Sequence, residues 1–312
     1  MSGPRVISAQ EVERLLTYEA CIPLMRDAMI ALSRGRTRQL LRGILDIDGG
    51  NAFGVMPGAM LGGSFGAKLI SIFPGNLARG GLSHQGVVAL FDGETGAPRA
   101  FVDAGVLTAI RTAAASAAAT DALARPDSRH LAIIGTGEQA LRHIEAIRHV
   151  RPIDRVTIWG RDPAKAEALA ARTGGTAAAS VAEATTGADI ICTVSGAADP
   201  ILFSRDVADG AHVNAVGSSR AGPAEIASDL VVRARFFADH REGVLAQGAE
   251  FMRAREAGLV GDDHVLGEIG EVMTGSIPGR TGPDEVTLYK SLGSIVQDLA
   301  AADYVVGQAA QG

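Results

Sequence analysis

Hydrophobic and polar positions along this chain fall into two textures, and the change between them predicts two blocks. Residues 8 to 34 carry apolar positions at helical spacing and read as two helices. Ser8 is placed to cap the first, and Glu11 three residues later completes a capping box. From Leu40 the apolar runs shorten and glycine breaks them. LRGILDI, NAFGVMPGAM, FGAKLISIF and QGVVALFD read as strands. Asp92-Gly93-Glu94-Thr95-Gly96 is a turn by composition, joining VVALF to PRAFVD as a hairpin. This antiparallel block ends in a long alanine-rich helix, Ala104 to Leu123. Arg111 and Asp121 interrupt it, so it reads as a packed helix and not a membrane span.

After the boundary at Arg125-Pro126-Asp127 the texture becomes strand and helix in alternation. HLAIIGTGEQALRHIEAIRHVRPIDRVTIWGR is the stretch that organises it. An apolar run, Leu131 to Ile134, meets Gly135-Thr136-Gly137. Ala140, Ile144, Ile147 and Val150 then fall on one helical face, and Val156 to Trp159 is a second strand. In such a βαβ unit Gly135 permits the tight bend and Gly137 lets backbone approach a pyrophosphate. Ala140 replaces the third glycine and keeps helix close to strand. An ordinary βα turn is the alternative reading of the same string. Further elements are predicted at Pro163 to Arg172, Asp189 to Val194, His212 to Val216, Arg235 to Ala238 and 241 to 257. A last strand, Glu285 to Tyr289, and a helix, Leu292 to Val306, follow. The alternation predicts an α/β fold with a doubly wound, mostly parallel sheet of Rossmann type, preceded by an α+β block.

Composition narrows the function classes. The 312 residues suggest about two domains, and 47% hydrophobic content supports a real core. A formal net charge of −6 and 4% aromatics argue against a nucleic-acid partner. The first residues lack the apolar region of a secretory signal, and a cytoplasmic protein without a membrane partner is expected. Cys192 lies in the apolar run DIICTV and reads as a small buried hydrophobe. Asp262, Asp263, His264, Glu268 and Glu271 match no metal-ligand spacing. Asp262 or Asp263 reads instead as the cap of the next helix, and no metal is expected.

Three cations stand in apolar surroundings: Lys68 in GAKLIS, Arg111 in TAIRTAAA and Arg42 in QLLRGIL. Such charges are costly unless paired, so each requires an anion, either a structural carboxylate or a substrate. Guanidinium forks suit carboxylates, and a lysine supplies a point charge or a proton. Thr112, beside Arg111, adds a hydroxyl that could reach a phosphate.

FGVMPG, GAKLIS, SHQGVVALFDGETG, AIRTAAASAAAT, IIGTGEQA, NAVGSS and YKSLG, in this order over nearly the whole chain, resemble the ornithine cyclodeaminase/mu-crystallin family. The resemblance implies a homodimer with a substrate-binding and dimerisation domain (1–121), a dinucleotide-binding Rossmann domain (122–291) and a C-terminal helix (292–312) returning to the first. It places the active site in the cleft between the domains. It implies that Arg42, Lys68 and Arg111 bind a small amino-acid-like substrate, with Lys68 and Arg111 catalytic. Ser83, Thr112, Glu138, Gln139, Thr193, Val216, Gly217 and Ser291 would line a nicotinamide cofactor along with Gly135 and Gly137.

Two departures from the cyclodeaminase pattern shape the functional expectation. Cyclodeaminases carry an aspartate where this chain has Ser219, and a hydroxyl cannot replace it in proton shuttling. Ser219-Arg220 resembles the ketimine reductases of the family, and Glu225 is read as orienting its neighbours. Gly160 stands where NAD enzymes carry an acidic residue for the ribose, and Arg161 could pair with a 2′-phosphate. NADP(H) is therefore favoured, with NAD(H) the alternative. Asp162 before Pro163 reads as a helix cap. The expectation is an NAD(P)H-dependent reductase of a small α-imino acid, such as pyrroline-2-carboxylate or iminosuccinate. Arg220, with His84 and Arg79, would leave room for a second carboxylate. Ornithine or lysine cyclodeamination and a non-catalytic NADPH-binding protein are the alternatives.

Overall fold

In the computed structural model, which describes residues 3–81 and 83–311, the chain divides into two compact units. One holds the residues up to Arg111 together with those from Ser294 onward; the other runs from Thr112 to Gly293. The first unit contains β1 (Arg5–Ile7), α1 (Ala9–Leu15), α2 (Tyr18–Ser33), β2 (Thr37–Gln39), β3 (Gly43–Asp46), β4 (Ala52–Met60), β5 (Phe65–Ile72), β6 (His84–Phe91) and β7 (Pro98–Asp103). Ser8 and Glu11 cap α1 reciprocally, as their spacing predicts. The strands form one sheet in the order β1-β7-β6-β5-β4-β2, with β3 also paired to β4; only β1 and β7 run parallel. The Asp92–Gly96 turn joins β6 to β7 as the composition predicts, its amides satisfied by the Asp92 carboxylate.

Side-chain alternation gives this sheet two unlike faces. Ile7, Val102, Val88, Lys68 and Met56 form one row across five strands, and all five are buried. Lys68 is the only charge in that row. The opposite face exposes Val6, Leu45, Phe65, Val87 and Phe101. Next to Lys68 the edge is irregular. Gln39 pairs with Gly58 and Gly43 with Val55, so Leu40–Arg42 stand opposite only Met56 and Pro57. Pro57 has no N–H to donate, and the edge bulges there instead of continuing its ladder.

The helix α3 (Ala104–Leu123) has the span read from its alanine-rich pattern, and the unit boundary falls within it. The second unit continues with β8 (His130–Ile134), α4 (Glu138–Arg148), β9 (Arg155–Trp159), α5 (Pro163–Thr173), β10 (Thr176–Ala177), α6 (Val181–Thr185), β11 (Ile190–Thr193) and β12 (His212–Ala215). It is completed by α7 (Ser228–Arg233), β13 (Arg235–Ala238), α8 (Arg241–Gln247), α9 (Ala249–Glu256), β14 (Val265–Glu268), α10 (Ile269–Met273) and β15 (Thr287–Lys290). All eight strands are parallel, in the order β10-β9-β8-β11-β12-β15-β13-β14. The chain winds outward from β8 in both directions, so the order reverses between β8 and β11. The single helix expected over 241–257 is two helices, broken at Gly248. Finally α11 (Ile295–Ala309) packs within the first unit against α2 and β4 and is buried along nearly its whole length. No helix among the described residues is long and apolar enough to cross a membrane.

Candidate active site

In the first unit two of the three cations singled out by sequence, Lys68 and Arg111, meet at one carboxylate. Lys68 and Arg111 are both at least 95% buried and share one oxygen of Asp298 on α11. Lys68 Nζ donates to Asp298 Oδ1 at 3.2 Å and to Thr108 Oγ1 at 2.6 Å. Arg111 Nε donates to the same oxygen at 3.0 Å, and its Nη1 donates to Gln297 Oε1 at 2.7 Å. Burial lowers the Lys68 pKa to about 8, with Asp298 opposing that shift and the Arg111 and Arg42 charges adding to it. Arg42, at the bulge, thus acts on Lys68 from one strand away. After these bonds Arg111 retains its Nη2 edge and Lys68 one N–H, donors suited to a carboxylate and a basic nitrogen. Ser83 belongs to this unit too, with its hydroxyl 2.9 Å from His84 Nδ1.

In the second unit the remaining candidates gather at the carboxyl ends of the central strands. Ile134, Thr193, Ala215 and Lys290 form the last paired row of β8, β11, β12 and β15. Gly135, Val194, Val216 and Ser291 follow directly, which is where open α/β sheets bind ligands. Gly135 has φ +144°, and a Cβ there would stand 2.7 Å from Val194 O, so the turn excludes any larger residue. Gly137 caps α4 without a side chain and faces open space. Beyond β12, Glu225 is a clamp. Its Oε1 accepts from Ser195 N at 2.6 Å and Ser195 Oγ at 2.7 Å, while Oε2 accepts from Gly217 N at 2.7 Å. Burial raises its pKa above the ordinary carboxylate range. Lys290 completes the clamp, bonding Ser218 O at 2.7 Å and Glu250 Oε2 at 2.8 Å.

Residues 3–312 match the ornithine cyclodeaminase/mu-crystallin family. The chain belongs to that family. It is 36% identical to the ketimine reductase mu-crystallin of Mus musculus over 311 residues, covering 97% of this chain and 96% of that protein. The Delta(1)-pyrroline-2-carboxylate reductase of Thermococcus litoralis, solved with NADH and L-proline, has a similar structure. Its TM-score is 0.94 at 28% identity, with 98% of each chain covered. The iminosuccinate reductase of Paracoccus denitrificans, solved with NAD+, gives a TM-score of 0.91 at 30% identity, covering 99% of this chain and 97% of that one.

A nicotinamide dinucleotide, which membership of the ornithine cyclodeaminase/mu-crystallin family implies, fits the second unit's carboxyl edge. Gln139 Oε1, in the first turn of α4 just past the glycine turn, and Ser291 Oγ, directly after β15, are buried there without a partner. Thr112 is buried, and Glu138 pairs with Arg142 at 3.9 Å. Gly160 has a packing cause beyond the one read from sequence: the Thr136 methyl fills the place of its Cβ, with Thr136 Oγ1 3.2 Å away. Arg161 is exposed. Asp162 spends Oδ1 on the amides of Ala164 and Lys165, the helix cap its position predicts. Arg220 is exposed on the loop after β12.

Asp298, Gln297, Thr108, Ser195, Glu250 and Lys290 were not singled out by sequence. The signal for Asp298 and Lys290 was present, since each is a charge inside an apolar run. The acidic cluster has other work. Asp262 pairs with Arg255 at 3.0 Å, His264 Nε2 reaches Val231 O, Glu268 Oε1 accepts from Arg241 N at 3.0 Å, and Glu271 Oε2 accepts from the Glu268 amide at 2.8 Å. The N-cap position of α10 is Glu268, not Asp262 or Asp263. Burial pushes the Cys21 and Cys192 thiols up to about 12, so neither offers a thiolate.

Proposed function

We propose that this protein is an NAD(P)H-dependent reductase of a small α-imino acid, forming the amino acid. The observation that carries the reading is the buried pair of Lys68 and Arg111 around a single carboxylate, with donors left over for a substrate. The Arg111 Nη2 edge and Arg42 take the substrate carboxylate. Lys68 holds a proton at the imine nitrogen, so that the nitrogen leaves the reaction as an amine. A nicotinamide dinucleotide bound along the carboxyl edge of the second sheet would supply the hydride for the imine carbon. The residues proposed to hold it are Ser83, Thr112, Gly135, Gly137, Glu138, Gln139, Thr193, Val216, Gly217 and Ser291.

Substrates of the size of pyrroline-2-carboxylate or iminosuccinate suit this set of cations, and exposed Arg220 would meet a second carboxylate. Exposed Arg161 and the missing acid at Gly160 favour NADPH. The apolar face of Val6, Leu45, Phe65, Val87 and Phe101 is proposed to pair with a second copy of the chain, giving a homodimer that sedimentation would read as twice the chain mass. Ser219 supplies no carboxylate for cyclodeamination. Candidate imines offered with NADPH or NADH should consume the cofactor, followed by its absorbance. Lys68→Met should lower kcat/KM by about 10²–10⁴-fold. Ammonia release from ornithine without net cofactor consumption would overturn the reading.

A further inference from the structure

Lys68 comes from β5 and Arg111 from α3, yet both are held by one residue of α11 that the reaction neither consumes nor regenerates. We propose that Asp298 is a positioning residue of the active site, fixing the Lys68 ammonium and the Arg111 guanidinium for the substrate and keeping Lys68 protonated. This rests on the imino-acid reductase reading above.

The geometry is specific. Asp298 Oδ1 accepts from Lys68 Nζ at 3.2 Å and from Arg111 Nε at 3.0 Å, while Gln297 one residue earlier accepts from Arg111 Nη1 at 2.7 Å. With two nitrogens tied, the guanidinium plane is fixed and its Nη2 edge is presented. Thr108 fixes a second proton of Lys68 at 2.6 Å, leaving one to aim. Asp298 is fully buried, and the two cations on its Oδ1 keep this carboxylate ionised. Burial opposes that charge, but Arg111 and Lys68 hold its pKa below the usual carboxylate range.

The groups acting on Lys68 divide by sign. Arg111 from α3 and Arg42 from the bulge disfavour its proton, as burial does. On β6 the His84 ring, exposed at one edge, is held below the ordinary imidazole range by partial desolvation and then by the Lys68 charge. Asp298 is the anion that holds the proton in place. Removing its charge while keeping its shape should therefore strip Lys68 of its proton at a lower pH.

The test is the pH profile of pyrroline-2-carboxylate reduction. In the unaltered protein kcat/KM should fall as pH rises through about 8, where Lys68 loses its proton. In Asp298→Asn that limb should move down by about one pH unit or more. The imine KM should rise on the order of tenfold while the KM of the reduced nicotinamide stays put. Gln297→Ala should raise the imine KM with the limb unmoved. A limb that stays in place in Asp298→Asn, with activity lowered evenly across pH, would overturn the proposal.

A second measurement is independent of turnover. Lys68→Met should restore part of the melting temperature lost in Asp298→Asn, because it removes the cation left unpaired. Losses that simply add would overturn the coupling. If the unaltered protein reduced no imine while the melting cycle still coupled the two residues, the proposed function would fail and the Asp298–Lys68 link would stand.

Discussion

At Asp162 one carboxylate separates two roles that a position after the second strand can play. It binds the first amides of α5 and is thereby taken out of reach of a ribose. Asp162→Ala should cost about 0.5–2 kcal/mol in a urea or thermal melt without weakening either cofactor. Arg161→Ala should instead raise the Kd for NADPH roughly tenfold more than that for NADH, measured by cofactor fluorescence. Equal losses for both cofactors would remove Arg161 from the 2′-phosphate. Single residues were legible where their surroundings made them costly, as with Lys68 and Arg111 in apolar runs. Their counter-ion was not, because Asp298 lies 230 residues from one and 187 from the other, beyond anything periodicity reports. The same holds at Gly160: a missing side chain is visible in sequence, the methyl of Thr136 that excludes one is not.

At the scale of elements, strong periods and named caps gave the best boundaries. The span of α3 and the first turn of α5 are as read from the pattern. Boundaries shifted where side chains were used otherwise. Glu285, read as the start of a strand, folds its carboxylate back onto the amides of Thr281 and Gly282, and β15 begins two residues later. The final helix starts at Ile295 and not Leu292, because Gly293 has φ +80° and Ser294 caps the helix through Val296 N. The strands β1, β2 and β14 have three or four residues each, too few for a period to stand out. The bulge at Leu40–Arg42 depends on pairing with β4, which no local pattern contains. Deleting Leu41 would restore equal counts on the two strands.

For the whole molecule, the clearest pH response lies in two histidines of the second unit. Burial lowers the His143 pKa to about 4 and the His212 pKa to about 3. His143 bridges Ser116 of α3 and the Gln139 carbonyl of α4, while His212 bonds Thr287 on the neighbouring β15 and Asn214 two residues along its own strand. The unfolded chain takes up both protons near 6.5, whereas the folded chain refuses them until those lower values. Stability is therefore unaffected by them above 6.5 and is lost as pH falls through the window below it. At pH 5 the loss should be about 2 kcal/mol for each histidine, read from urea midpoints at pH 5 and 7.5. A His143→Gln variant should flatten part of that slope.

Asp298 has a consequence for the order of events during synthesis. A ribosome adding about 5–20 residues per second finishes α11 many seconds after it has made Arg111. Until then the nascent Lys68 and Arg111 have no anion from α11, and burying them would leave two bare charges in an apolar interior. The stretch from Thr112 to Gly293 is complete before that anion exists. What is translated first must finish last.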